Sequence, residues 1–208
     1  MTQLSDTRSP ASPDAPDRVT YEEFLRRWDG RHAEWVDGEV IEVSPSSDVH
    51  QDLAGFLFAL LRHWVEARSA GVVRPAPFQM KLGSGLPGRE PDVLCVAAEH
   101  LDRLKRSYLE GPADLVVEVV SPDSETRDRV EKLREYEMGG VPEYWLIDPE
   151  RAQALFYRLG PEGRYRLLEA DGGIVRSAVL PGLWLRIGWL WQKPLPPLLS
   201  VLRAWGIV

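Results

Sequence analysis

Apolar residues recur along this chain in two rhythms. Leu53, Phe56, Leu57, Leu60, Leu61, Trp64 and Val65 fall on one helical stripe. That stripe predicts a long helix over 48–69, capped by Ser47 or Asp48 and stopped by Gly71. Ahead of it, Thr20-x-x-Glu23 has the form of a capping box for a short helix through about Trp28. Between the two, Asp37-Gly38 joins short β-type runs, a hairpin signal because glycine tolerates the positive φ of tight turns.

After the long helix the rhythm turns strand-like. VVRPAPFQMKL predicts a strand over 72–82, GSGLPGRE a loop, and PDVLCVA a strand over 91–97. AEHLDRLKRSYLEG reads as a short helix plus a loop, and a very apolar strand follows over 114–120. Ser121-Pro122 breaks that strand. A helix over 125–138 follows, capped by Ser124 or Thr126 and ended by Gly139-Gly140, and then a strand over 143–148. Beyond Pro149 the pattern is hairpins: ALFYRL and RYRLLEA about a turn at Gly160–Gly163, then a turn at Asp171-Gly172-Gly173. There is no internal repeat. This order predicts an α/β (α+β) fold, a mixed β-sheet flanked by helices with extra N- and C-terminal hairpins.

Composition narrows the class. Residues 1–17, nearly all Ser, Pro, Asp and other small or polar types, read as a disordered N-terminal tail, and 18–208 as a single domain. With 208 residues and 44% hydrophobic content, the chain can bury a substantial core. Its single cysteine, Cys95, rules out a disulfide scaffold. No apolar stretch follows a basic start, so no signal peptide is expected. The apolar region Leu180–Val208 is broken by Arg186, Lys193, Pro194, Pro196 and Pro197, which excludes a single spanning helix. The expected setting is the cytoplasm, with no membrane partner. A net charge of −7 argues against a non-specific nucleic-acid coat but leaves a nuclease open, because a metal site is itself acidic.

The most informative residue is Glu118, alone in the apolar run Leu115–Val120. A buried carboxylate without a partner costs several kcal/mol, so a metal or a cation is called for. An edge strand with Glu118 facing water or an Arg is the structural alternative. Asp92 opens the strand after the Gly-rich loop, behind Pro91. Read alone it is equally a turn aspartate; beside Glu118 on a neighbouring strand, it completes a carboxylate pair able to share a hard cation.

Residue 120 shares Glu118's face, and a lysine there would sit beside the metal, but the chain has Val120. Lysines occur only at 81, 105, 132 and 193. Lys132 lies in the next helix, where Asp128, Lys132 and Tyr136 are spaced four apart and share a face. Lys132 either orients water and neutralises charge on a phosphate or is a solvated lysine paired with Asp128. His50, in the first turn of the long helix, is expected to be neutral near pH 7 beside a helix N-terminus. It either lines the site or caps the helix. His32, His63 and His100 have no zinc spacing, and no dinucleotide, P-loop or nucleophile-elbow motif is present. The Trp-rich C-terminal region is a candidate core or subunit interface.

With these residues in view, the sequence resembles the bacterial Uma-type (Uma-two) restriction endonuclease family of the PD-(D/E)XK nuclease superfamily. VVEVVSPDSETRDRVEKLREYEMGGVPEYWLIDP carries most of the likeness, supported by EWVDGEVIEVSPSSDVHQ, EPDVLCV and LPGLWL, over roughly residues 19–190. The resemblance implies a restriction-endonuclease-like core and a Mg²⁺- or Mn²⁺-dependent endonuclease acting on DNA. It implies Asp92 and Glu118 as metal ligands, the Val119 carbonyl completing the protein's share, and Lys132 as a lysine relocated from residue 120. His50 joins these as a catalytic candidate, and Glu39, matching a glutamate after the hairpin turn, is a further residue lining the site with Asp128 and Tyr136. Homodimerisation through the C-terminal Trp-rich region is a further expectation. Two alternatives stand: a catalytically weak or inactive nuclease-fold binding module, and a hydrolase of another phosphate ester.

Overall fold

The structure, a computed structural model, describes residues 18–42, 47–121 and 127–208; the side chains of Arg127 and Asp128 also lie outside the description. The N-terminal tail and the expected caps Ser124 and Thr126 therefore fall outside the described residues. In chain order the elements are α1 (Tyr21–Arg27), β1 (Ala33–Val36), β2 (Glu39–Glu42), α2 (Asp48–Ala67), β3 (Gly71–Pro75), β4 (Gln79–Lys81), β5 (Gly88–Arg89) and β6 (Val93–Ala97). They continue with β7 (Tyr108–Glu110), β8 (Leu115–Val119), a π-helical stretch Arg127–Lys132 running into α3 (Leu133–Gly139), and β9 (Glu143–Asp148). The C-terminal part holds β10 (Gln153–Leu159), β11 (Tyr165–Leu167), β12 (Ile174–Arg176), β13 (Trp184–Arg186) and α4 (Leu198–Ala204).

Local chemistry sets several of these boundaries. The Thr20 hydroxyl accepts from Glu23 N–H at 3.1 Å to open α1, and Ser47 accepts from His50 N–H at 3.3 Å to open α2. Asp37 and Gly38 both take positive φ, 49° and 90°, the requirement of a hairpin turn whose twist matches its strands. Gly140, at φ 78°, closes α3 in the left-handed conformation. Gly71 permits a close approach: a Cβ there would stand 2.0 Å from the Val96 carbonyl across the ladder.

A six-stranded sheet in the order β11-β10-β9-β8-β6-β3 forms the centre. β8 and β9 run parallel, and their neighbours β6 and β10 run antiparallel to them. Alternation along β8 sends Leu115, Val117 and Val119 into a core beneath α2, with Val93, Cys95, Trp145 and Ile147. Val116 and Val120 face the opposite core, with Leu94, Val96, Tyr144, Leu146 and Tyr136 of α3. A second sheet, β2-β1-β5-β4-β7, lies on that opposite side and contributes Met80 and Leu109. Two covered faces explain why β8 is apolar at nearly every position.

One expectation needs correction. The strand over 72–82 is two strands in different sheets, because Pro75 and Pro77 withhold ladder donors and let the chain cross from one layer to the other. The turns expected after Pro149 both form: β10 pairs with β11 around the first, Asp171 bridges Ile174 around the second, and β12 goes on to pair with β13. The Trp-rich C-terminal segment packs on α2. Trp205, 8% exposed, meets Trp64 edge-on at 5.3 Å, and Trp184, Trp189 and Trp191 lie half-buried against the same core. No described helix is long and apolar enough to cross a membrane.

Candidate functional site: a buried charge chain beside Asp92 and Glu118

The β6–β8 register ends with Val93 opposite Val117, so Asp92, just ahead of β6, comes beside the Glu118–Val119 step of β8. Asp92 Oδ2 accepts from Val119 N–H at 2.7 Å and lies 3.2 Å from His50 Nε2. His50, buried at the start of α2, thus meets Asp92 at the end of β6. The Asp92 carboxylate keeps partial exposure. Glu118 is 2% exposed.

Glu118 Oε1 accepts from Lys132 Nζ at 2.9 Å and from Tyr136 O–H at 2.5 Å. These two donors stand one helical turn apart across the junction of the π-helical stretch and α3, so the four-residue spacing brings them to one acceptor. Burial and the Glu118 charge push the Tyr136 phenol well above its ordinary pKa, which keeps it a donor. Lys132 has a second carboxylate partner that sequence reasoning missed. Its Nζ is 3.1 Å from Glu34 Oε1, and Glu34, on β1, is 1% exposed.

The chain of charges continues through Arg89 on β5, whose side chain is fully buried. Arg89 Nη1 donates to Glu34 Oε2 at 2.8 Å, while Nε and Nη2 grip both oxygens of Glu135 at 2.7 and 2.8 Å. Burial alone would raise the Glu34 pKa, but Lys132 and Arg89 overcome it and hold the carboxyl at about 2. The Arg89 guanidinium is held charged by the same contacts. The sequence Glu118–Lys132–Glu34–Arg89–Glu135 therefore alternates in sign and ties β8, the second sheet and α3 together.

Next to this chain stands Glu90, 7% exposed, whose N–H donates to Glu34 Oε1 at 3.3 Å. Its Oε1 accepts from Gln79 Nε2 at 3.1 Å. Burial, with the nearby Glu34 and Asp92 charges, pushes its pKa up to about 8 against the Gln79 hydrogen bond. Glu39 lies exposed on β2, and no contact links it to Lys132 or Arg89. Asp128 belongs to the π-helical stretch, with its side chain outside the description.

Glu34 and Arg89 were hidden for the same reason. Each sits in a strand of four residues or fewer, too short for a pattern to stand out, and only the docking of the second sheet buries it. Bidentate geometry at Arg89 carries no sequence signature.

Among the described residues, no group of three or more His, Cys, Asp and Glu is arranged to hold a metal ion. The carboxylates of Asp92 and Glu118 are nevertheless donors that suit Mg²⁺, which takes one or two carboxylates and keeps several waters.

A family model described as Uma2, putative restriction endonuclease, matches residues 21–188. No curated protein matches. Among solved structures, a putative nuclease of the DUF820 family from Anabaena variabilis superposes with a TM-score of 0.67 at 17% identity. The match covers 83% of this chain and 97% of that one. At that identity the likeness is one of fold, a mixed sheet with flanking helices. By the extent of the family match, this chain belongs to the Uma2 putative restriction endonuclease family.

Proposed function

We propose that the protein is a Mg²⁺- or Mn²⁺-dependent endonuclease of PD-(D/E)XK type that hydrolyses phosphodiester bonds of DNA in the cytoplasm. The hydrogen bond of Asp92 to Val119 N–H, the residue next to Glu118, with Lys132 on Glu118, is the observation that carries this reading. Asp92, Glu118 and the Val119 carbonyl would hold the cation. When bound, it supplies Lewis-acid polarisation of the phosphate and lowers the pKa of water.

The chain's own residues do the rest. Lys132, charged between two carboxylates, offers its ammonium to the attacking water or to charge building on the phosphate. Tyr136 holds Glu118 Oε1 and fixes the orientation of that carboxylate. His50 holds Asp92 Oδ2 from the other side. The family and these residues together support the reading. Homodimerisation through Trp184, Trp189 and Trp191 belongs to the same proposal, since these rings keep part of their surface exposed.

One observation favours a second reading, an inactive binding module: Glu118 and Lys132 satisfy each other in a buried pair, as a purely structural pair would. Incubating the protein with supercoiled plasmid, single-stranded RNA and a chromogenic phosphodiester, each with Mg²⁺ or Mn²⁺, separates the cases. The proposal expects plasmid nicking that chelation abolishes. Cleavage of RNA or the small ester alone overturns the DNA assignment, and DNA binding without cleavage under either metal selects the binding module.

A further inference from the structure

A cavity of about 250 Å³ opens between the end of α1, the turn after it and the segments around residues 78 and 107. Its walls are aromatic. Phe24 and Trp28 lie nearly parallel, at 19° with centroids 5.9 Å apart, and Phe78 also lines the space. At its inner end are two side chains more than nine-tenths buried, Gln79 and Glu90.

Each of these carries a buried oxygen with no hydrogen-bond partner, Gln79 Oε1 and Glu90 Oε2. The amide orientation of Gln79 is fixed, because its nitrogen already donates to the Ala33 carbonyl and to Glu90 Oε1. His32 Nδ1 approaches Glu90 Oε2 to 3.2 Å from a ring 55% exposed, without completing a hydrogen bond. Buried polar atoms of this kind are costly unless something pairs with them. Arg31 and Arg106, both exposed, line the cavity with one exposed acid, Asp29, and leave a net positive charge that suits a phosphate.

Flat apolar walls, an amide acceptor and a carboxyl lining the cavity, and nearby cations define a ligand: a planar heterocycle with an amine on its edge and a phosphate attached. We propose that this cavity seats a single nucleobase bearing an exocyclic amine, belonging to a nucleic-acid strand or a free nucleotide. Its size fits one base, being below the range of about 300–1,000 Å³ usual for larger ligands. The inference rests on the nuclease reading and deepens it. Glu90 is shared, with its carboxyl on the cavity and its N–H on Glu34 of the charge chain, so the pocket adjoins the candidate site. A base seated there must leave its stack, and distorted or unpaired DNA gives one up most easily.

The test is binding in EDTA, read by anisotropy of a labelled duplex. One duplex carries a single unpaired adenine, the other an abasic residue at the same place. The proposal expects the unpaired adenine to bind about tenfold more tightly, the scale of base–aromatic stacking. Two variants attack the pocket from different sides: Ser107→Trp fills the mouth from an exposed position, and Trp28→Ala removes a wall. Both erase the preference while circular dichroism stays native.

Competition by dAMP and dCMP, with dTMP much weaker, assigns the site to free nucleotides; preference without such competition assigns it to a strand. Equal binding of the two duplexes by the folded wild type overturns the pocket. Plasmid nicking by the same preparation reads the nuclease assignment separately, so nicking without base preference sinks only the pocket, and preference without nicking sinks only the nuclease.

Discussion

Lys132 Nζ stands 3.1 Å from Glu34 Oε1, joining a helix that follows the central strand to a hairpin strand of the other sheet. Both side chains are buried, so each depends on the other to stay charged. Replacing Lys132 with Met leaves Glu34 and Glu118 without their shared cation. We expect a loss of about 3–5 kcal/mol in urea unfolding, the usual cost of breaking a buried pair. The double variant Glu34→Gln/Lys132→Met recovers part of it. Unchanged unfolding midpoints in the single variant would show that the pair contributes nothing.

Acid should unfold the protein partly through Glu34. Its folded pKa of about 2 lies below the ordinary 4.5, so its contribution is complete above pH 4.5 and is lost as the pH falls toward 2. Glu34→Gln is less stable at neutral pH but loses less stability over that window. The check is denaturant unfolding at steps between pH 5 and pH 2; parallel curves for the two proteins count against the assignment.

Glu90 has the opposite sign. Its folded pKa of about 8 lies above 4.5, so the folded protein keeps a proton that the unfolded chain releases. Stability therefore falls as the pH rises from 4.5 to 8 on this group's account. Glu90→Gln removes that slope, and thermal unfolding across the window reads it directly.

How far the sequence reached depends on what kind of signal each residue leaves. Glu118 was legible because one carboxylate interrupts an otherwise apolar strand, and Lys132 with Tyr136 because helical spacing puts them on one face. Ser47, Thr20 and Asp37-Gly38 announced their caps and turn by local chemistry alone. Arg89 and Gln79 left no such mark, and Glu34, between Ala33 and Trp35, sits in a strand too short for the mark to stand out; the burial of all three arises only when the second sheet docks. The same docking divides residues 72–82 between two layers, and the two prolines that permit it are compatible with one irregular edge strand as well. Pairing of β12 with β13 spans a loop, which no local rule specifies.

His50 should act through Asp92. The imidazole fixes the carboxylate from α2 at 3.2 Å, so His50→Ala leaves the strands intact and loosens the proposed ligand. Half-maximal Mg²⁺ concentration for cleavage should rise about 10–100-fold, with a smaller change in rate at saturating metal. A fall in rate with no change in metal requirement would instead make His50 a participant in proton transfer.

The most direct test of the account compares plasmid nicking by the wild type with Asp92→Asn and Glu118→Gln, near-isosteric changes that remove one charge each. With Mg²⁺ or Mn²⁺ present, the account predicts nicking by the wild type, loss on chelation, and a fall of at least about 100-fold in both folded variants, since each is asked to hold the cation. Cleavage by either variant at the wild-type rate would contradict it.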